Sequence, residues 1–260
     1  MKDGEKPFLE HVEDLRGLIL KCVVVIGAGS VLGIVFIGQV MEILRWPLKI
    51  AQENLPQPHA NTLLALQVTD PMTVTLQIGM GAGILLSLPL VLFFLGQYLL
   101  PALEEKERGL LAPVFAVGTL LFLAGSSFCY FVVLPKALRF FQEFNQWLGL
   151  ETSWTMASYT DFALQMLVGF GLSFELPLVM VILARLGILE ARIVAKHRRH
   201  AVVALLVLAA CVTPTSDPFN LGLMFIPLYG LFELGLAGMA WGEVVSAPRS
   251  EKILARKNVL

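Results

Sequence analysis

Long apolar runs separated by short polar segments dominate the chain. Six of them, approximately Leu18–Val40, Met72–Leu95, Leu110–Leu134, Phe162–Ala184, Ala201–Val212 and Leu221–Ala240, read as membrane-crossing helices. A spanning helix takes about 20 apolar residues, which the first four supply. The fifth run has only twelve, between Lys196-His197-Arg198-Arg199-His200 and Thr213-Pro214. At about 1.5 Å per residue it reaches roughly 18 Å, against a hydrocarbon core of about 30 Å. Either the bilayer thins there or the flanking basic side chains snorkel, and both the fifth and sixth helices are expected to be short. With most residues in spans, 1–260 is expected to form a single all-α membrane domain.

Polar positions interrupt this pattern in informative places. Glu175 falls near the middle of the fourth run, in Phe170-Gly171-Leu172-Ser173-Phe174-Glu175-Leu176-Pro177. A carboxylate at that depth costs about 2.5 kcal/mol or more, and Pro177 removes a backbone donor close by. Acid and kink together point to a wet, protein-facing groove; a protonated glutamic acid packed against a neighbouring helix is the structural alternative. Leu88-Pro89-Leu90-Val91, Leu176-Pro177-Leu178-Val179 and Ile226-Pro227-Leu228 place a proline in each even-numbered helix. Three kinked helices can curve into a concave wall. Thr213-Pro214-Thr215-Ser216-Asp217-Pro218 reads as a tight turn, with Asp217 as an N-cap of the sixth helix. Glu233 is a second acid within a span.

The connections carry patterns of their own. Residues 41–71 contain Trp46-Pro47, and 135–161 contain Trp147 and Trp154, as expected of segments anchored at an interface. Phe140, Phe141, Phe144 and Trp147 have the spacing of an amphipathic helix over 136–147. Near the amino terminus, Glu10, Glu13 and Asp14 lie close enough to share a helix face. Glu104-Glu105-Lys106-Glu107-Arg108 follows the second span. Such carboxylates can grip a guanidinium through two parallel hydrogen bonds; solvated helix ends are the alternative reading of both groups.

Composition and charge sharpen the class. The chain is 57% hydrophobic, with a mean hydropathy of +0.76, too apolar for a soluble protein of this length. With the amino terminus inside, only Arg45, Lys49, Lys136 and Arg139 among the 19 Lys and Arg residues lie outside. This positive-inside bias puts both termini in the cytoplasm. The polar start lacks a cleavage pattern, so the first run reads as a retained helix. Cys22, Cys129 and Cys211 lack the spacing of a disulfide framework or metal site. No HExxH or Walker-type loop occurs, and the four histidines lie in loops or at helix ends. No enzyme, cofactor or metal chemistry is indicated. A net charge of −1 without an aromatic-interleaved basic stripe gives no indication of a nucleic-acid partner.

Taken together, these segments resemble the TatC family, the polytopic receptor subunit of the twin-arginine protein translocase. The resemblance covers nearly the whole chain. It is carried by Phe8-Leu9-Glu10-His11-Val12-Glu13-Asp14-Leu15-Arg16, by Pro101-Ala102-Leu103 with Glu107-Arg108, and by Tyr130-Phe131-Val132-Val133-Leu134-Pro135. It continues through the Glu175 segment, Thr213-Pro214 with Asp217, and Ile226-Pro227-Leu228-Tyr229-Gly230-Leu231-Phe232-Glu233.

The resemblance implies a multi-pass protein of a bacterial-type cytoplasmic (inner) membrane that binds the arginine pair of a signal peptide on the cytoplasmic face. It would recruit single-span TatA/TatB-type subunits and self-associate in a multi-subunit complex, so that folded cargo crosses the bilayer. The family's receptor acids carry over to Asp14 and Glu107, with Glu10, Glu13, Arg16 and Arg108 beside them. Its intramembrane and partner-contact positions carry over to Glu175, Asp217 and Pro47. Asp14 stands where the family commonly has Glu, Ser216 looks like an additional loop residue, and Leu221 replaces a common glutamine. A proton-coupled secondary transporter using Glu175 is the rival reading, weakened by the missing duplicated halves.

Overall fold

The computed structural model describes residues 8–52, 63–99, 111–150, 153–214 and 217–246. Among them, regular structure is helical apart from one bridge between extended segments. Five stretches are long and apolar enough to cross a membrane: Val12–Val35, Asp70–Tyr98, Val114–Trp147, Met156–Arg185 and Pro218–Gly242. The chain divides into two compact units, Met1–Gly171 and Leu172–Leu260.

The first unit begins with α1 (Phe8–Val35), which the turn at Phe36 separates from the amphipathic α2 (Ile37–Gln52). The first apolar run therefore ends as a span earlier than its expected limit at Val40. Helix α3 (Asp70–Leu99) packs along α1 through glycines. A Cβ on Gly83 would lie 2.2 Å from Ser30 Oγ and 2.8 Å from the Ile26 carbonyl oxygen, and one on Gly29 would lie 2.9 Å from the Gly83 oxygen. Small residues are what let two helix backbones approach this closely.

Helix α4 (Leu111–Phe128) passes through a π-helical turn, Cys129–Val133, into α5 (Leu134–Trp147). The Leu134 N–H reaches back to the Cys129 carbonyl. Pro135 explains the widened turn: it has no N–H, and its ring crowds the carbonyl four residues earlier. Helix α5 realises the expected amphipathic segment and buries Leu134, Ala137, Leu138 and Gln142. Helix α6 (Met156–Ser173) returns across the unit. The segments before α3 and α6 are tied together, with the Leu64 N–H donating to the Trp154 carbonyl (3.1 Å) and the Met156 N–H to the Leu64 carbonyl (2.9 Å).

The second unit holds α7 (Leu176–Arg185), α8 (Ala191–Lys196), α9 (Arg198–Val212) and α10 (Pro218–Ser246). Gly187, at φ +70°, closes α7 in the left-handed conformation that glycine tolerates. Helix α10 lies against α7: a Cβ on Gly235 would come within 2.7 Å of Met180 Sδ, and one on Gly238 within 2.9 Å of Val181 Cγ2.

One expectation needs correction. Helix α9 is short, at 15 residues, but α10 runs for 29. Neither Pro227 nor the glycines interrupt α10, so the sixth helix is not a short one. Pro89 and Pro227 likewise sit inside continuous helices. Of the three proline-bearing stretches only the fourth breaks, at Phe174 and Glu175 between α6 and α7, with Pro177 in the first turn of α7.

Candidate functional site

Charged residues at the amino end of α1 come first along the chain. Glu13, Asp14 and Arg16 are exposed there. Glu10 belongs to the same helix by its backbone, and a Cβ on Gly17 would meet nothing within 4 Å. Val12 and Leu15 stay exposed beside Glu13 and Asp14. This end of α1 is thus an open surface carrying both carboxylates and apolar side chains. Glu107 and Arg108 lie outside the described residues, as does the side chain of Glu10.

Glu175 sits at the break between α6 and α7. Its N–H donates to the Leu172 carbonyl (3.1 Å), and its own carbonyl accepts from the Val179 N–H (2.9 Å). The backbone is therefore satisfied while the side chain is not. Glu175 is buried, and neither carboxylate oxygen has a hydrogen-bond partner. Leaving such a group buried and unpaired is costly.

Pro47 lies inside α2 and is buried. It supplies no N–H, so the Ile43 carbonyl loses its partner four residues on. The Tyr130 hydroxyl, from the π-helical turn, donates to that carbonyl at 2.7 Å. The Tyr159 hydroxyl, from α6, donates to the next carbonyl, Leu44. Trp46 stacks on Tyr130 with centroids 5.3 Å apart, and Phe131 meets Trp46 edge-on. Tyr130 thus supplies the donor that the proline removes, and Tyr159 adds a second tie to the neighbouring carbonyl. The sequence reading took in Pro47 and Tyr130 separately and missed Tyr159. For Tyr130 the available signal was a proline within helical spacing, which obliges some donor to appear at Ile43.

Asp217 caps α10, as one reading of the sequence had it. Its Oδ1 accepts from the Asn220 N–H (2.8 Å) and its Oδ2 from Asn220 Nδ2 (3.0 Å). Glu233, noted from sequence only as an intramembrane acid, is the hub of a small network. Arg198 of α9 donates to it at 2.9 Å and the Tyr229 hydroxyl at 2.9 Å. Tyr229 and Glu233 are four apart on α10 and face the same way, whereas Arg198 reaches them only through the fold. Among the described residues, no group of His, Cys, Asp and Glu has the arrangement to hold a metal ion.

Comparison with known proteins adds a consistent result. The family model described as Sec-independent protein translocase protein (TatC) matches residues 10–227. A protein of that name from Akkermansia muciniphila is 42% identical over 74% of this chain, which spans 55% of that relative's length. The Escherichia coli K12 protein of the same name is 31% identical over 90% of this chain and 88% of its own. A crystal structure of the twin-arginine translocase receptor TatC superimposes with a TM-score of 0.76 at 28% identity, covering 88% of this chain and 97% of that one.

Proposed function

The chain belongs to the TatC family of Sec-independent protein translocase proteins, a family of translocase components rather than enzymes, and we propose that it is the signal-peptide receptor of such a translocase. The observation that carries the reading is the open acidic end of α1, where Glu13 and Asp14 are exposed beside apolar side chains. An arginine pair followed by a hydrophobic stretch has the complementary chemistry: carboxylates for the guanidinium forks, an apolar surface for the rest. Asp14 and Glu107 together take the two arginines, with Glu10, Glu13, Arg16 and Arg108 setting the local charge. The chain is a multi-pass membrane protein. In the proposed arrangement α9 is the sixth span, residues 1–260 work as one domain, and both termini are cytoplasmic.

Glu175 has a separate role in this proposal. Its buried, unpaired carboxylate receives a polar group from a single-span TatA/TatB-type subunit or from the signal sequence. Asp217, at the start of α10, and Pro47, inside α2, shape helices that such partners contact, and copies of the chain associate in the assembled translocase. Neither family membership nor the fold lends support to the transporter alternative.

Binding of a twin-arginine peptide to the purified full-length protein tests the receptor assignment. Asp14→Ala and Glu107→Gln are each expected to weaken binding, and a Lys-Lys peptide to bind less well than Arg-Arg, because an ammonium cannot form the planar fork. A double variant that binds both peptides as wild type does would end the assignment.

A further inference from the structure

A cavity of about 360 Å³ opens on α2, lined by Gly38, Met41, Glu42, Arg45, Leu48 and Lys49. The spacing of these residues keeps them to one stripe of the helix. A Cβ on Gly38 would meet nothing within 4 Å, so that end of the cavity is open. Glu42, Arg45 and Lys49 are all exposed. Among the described residues, neither Arg45 nor Lys49 takes part in an ion pair.

The position of α2 tells what such a site meets. The apolar stretch Val12–Val35 has 24 residues and ends two residues before α2 begins at Ile37. At about 1.5 Å per residue it reaches roughly 36 Å, enough to traverse a core of about 30 Å. The chain therefore leaves the hydrocarbon where α2 starts, at the depth of the lipid headgroups. Ile43 and Trp46 stay exposed on α2 beside the two cations, and tryptophan is enriched at that depth.

We propose that this cavity binds the headgroup of a phospholipid from the leaflet reached by the carboxyl-terminal end of α1. Arg45 and Lys49 hold the phosphodiester, with the guanidinium forking onto two of its oxygens. Glu42 accepts hydrogen bonds from the headgroup alcohol, the ammonium of ethanolamine or the hydroxyls of glycerol. Two cations and one acid leave a single positive charge, which matches the single negative charge of a phosphodiester. A free phosphate ion presents the same oxygens but gives Ile43 and Trp46 nothing to contact, whereas acyl chains do.

Full-length protein in nanodiscs of mixed phosphatidylethanolamine, phosphatidylglycerol and phosphatidylcholine, released into native mass spectrometry, tests the site. Wild type is expected to retain ethanolamine or glycerol lipids in preference to choline lipid, whose quaternary ammonium has no N–H to donate. Arg45→Gln with Lys49→Gln should lower retention about tenfold. Glu42→Gln should keep retention but lose the preference over choline. Unchanged retention in the double variant overturns the proposal. If that variant fails to fold, the salt dependence of wild-type retention decides instead. Retention that falls with ionic strength supports the cation pair, and retention indifferent to it overturns the site. Binding of inorganic phosphate by the detergent-solubilised protein without any response to lipid would assign the cavity to a free anion, and so also overturn it.

Discussion

A carbonyl four residues before a proline has to find another donor, and at Ile43 that donor is the Tyr130 hydroxyl. Tyr130→Phe should therefore lower stability by about 1 kcal/mol, the net worth of a typical hydrogen bond. In a Pro47→Ala background the restored N–H competes for the same carbonyl, and the cost of Tyr130→Phe should shrink. Thermal denaturation of the four proteins of this cycle measures the coupling, and strictly additive effects would show that the hydroxyl does not substitute for the missing donor. Glu175 gives a prediction about transport. Glu175→Gln keeps the shape and much of the hydrogen-bonding capacity, so it should impair export less than Glu175→Leu, with signal-peptide binding preserved in both. Loss of peptide binding in a folded Glu175→Gln protein would merge two sites that we separate. Glu175 and Asp14 were legible in the sequence because a charge in or beside an apolar run is out of place wherever the chain folds. Tyr159 was not, because it acts on a backbone carbonyl 115 positions away. Nothing local to a tyrosine announces such a bond.

For whole helices, hydropathy carries most of the information and packing the remainder. The long spans were legible because the membrane demands apolar length. Helix α2 was hidden in what read as a loop, since its alternation of Leu44, Pro47, Leu48 and Ala51 with charged residues is broken by a proline that normally ends helices. The length of α10 was misjudged because the twelve-residue run before Thr213 was taken to shorten both helices of the last pair. Helix α10 instead runs its full length packed on α7 and bonded to Arg198. The close pairing of α1 and α3 predicts an asymmetric response to added methyl groups. Gly83→Ala should destabilise by about 1–3 kcal/mol, because its Cβ would press on the Ile26 backbone. Gly27→Ala, where nothing lies within 4 Å, should be neutral or slightly stabilising. Equal thermal stability of the two variants would argue against a tight contact. Lengthening α9 by about one turn of leucines should preserve insertion yet reduce export, if the short 15-residue helix matters by thinning the bilayer locally. Undiminished export would remove that role.

Over the molecule as a whole, the distribution of basic residues predicts which segments share a compartment. Single cysteines placed in the α8 region and near Trp154, in a variant lacking Cys22, Cys129 and Cys211, should react with an impermeant thiol reagent from opposite sides of a sealed membrane. Labelling of both from one side would refute the proposed topology. The bridge between Leu64 and Thr155 has a consequence in time. Its two hydrogen bonds join the chain just before α3 to the chain just before α6. During synthesis the first segment emerges long before the second, and α3 and α4 have to be inserted in the bilayer in between. The bridge is therefore a completion mark for biogenesis. In an arrested nascent chain that stops within α5, the Leu64 amide should exchange freely with water, and it should become protected only once the chain has grown past Met156.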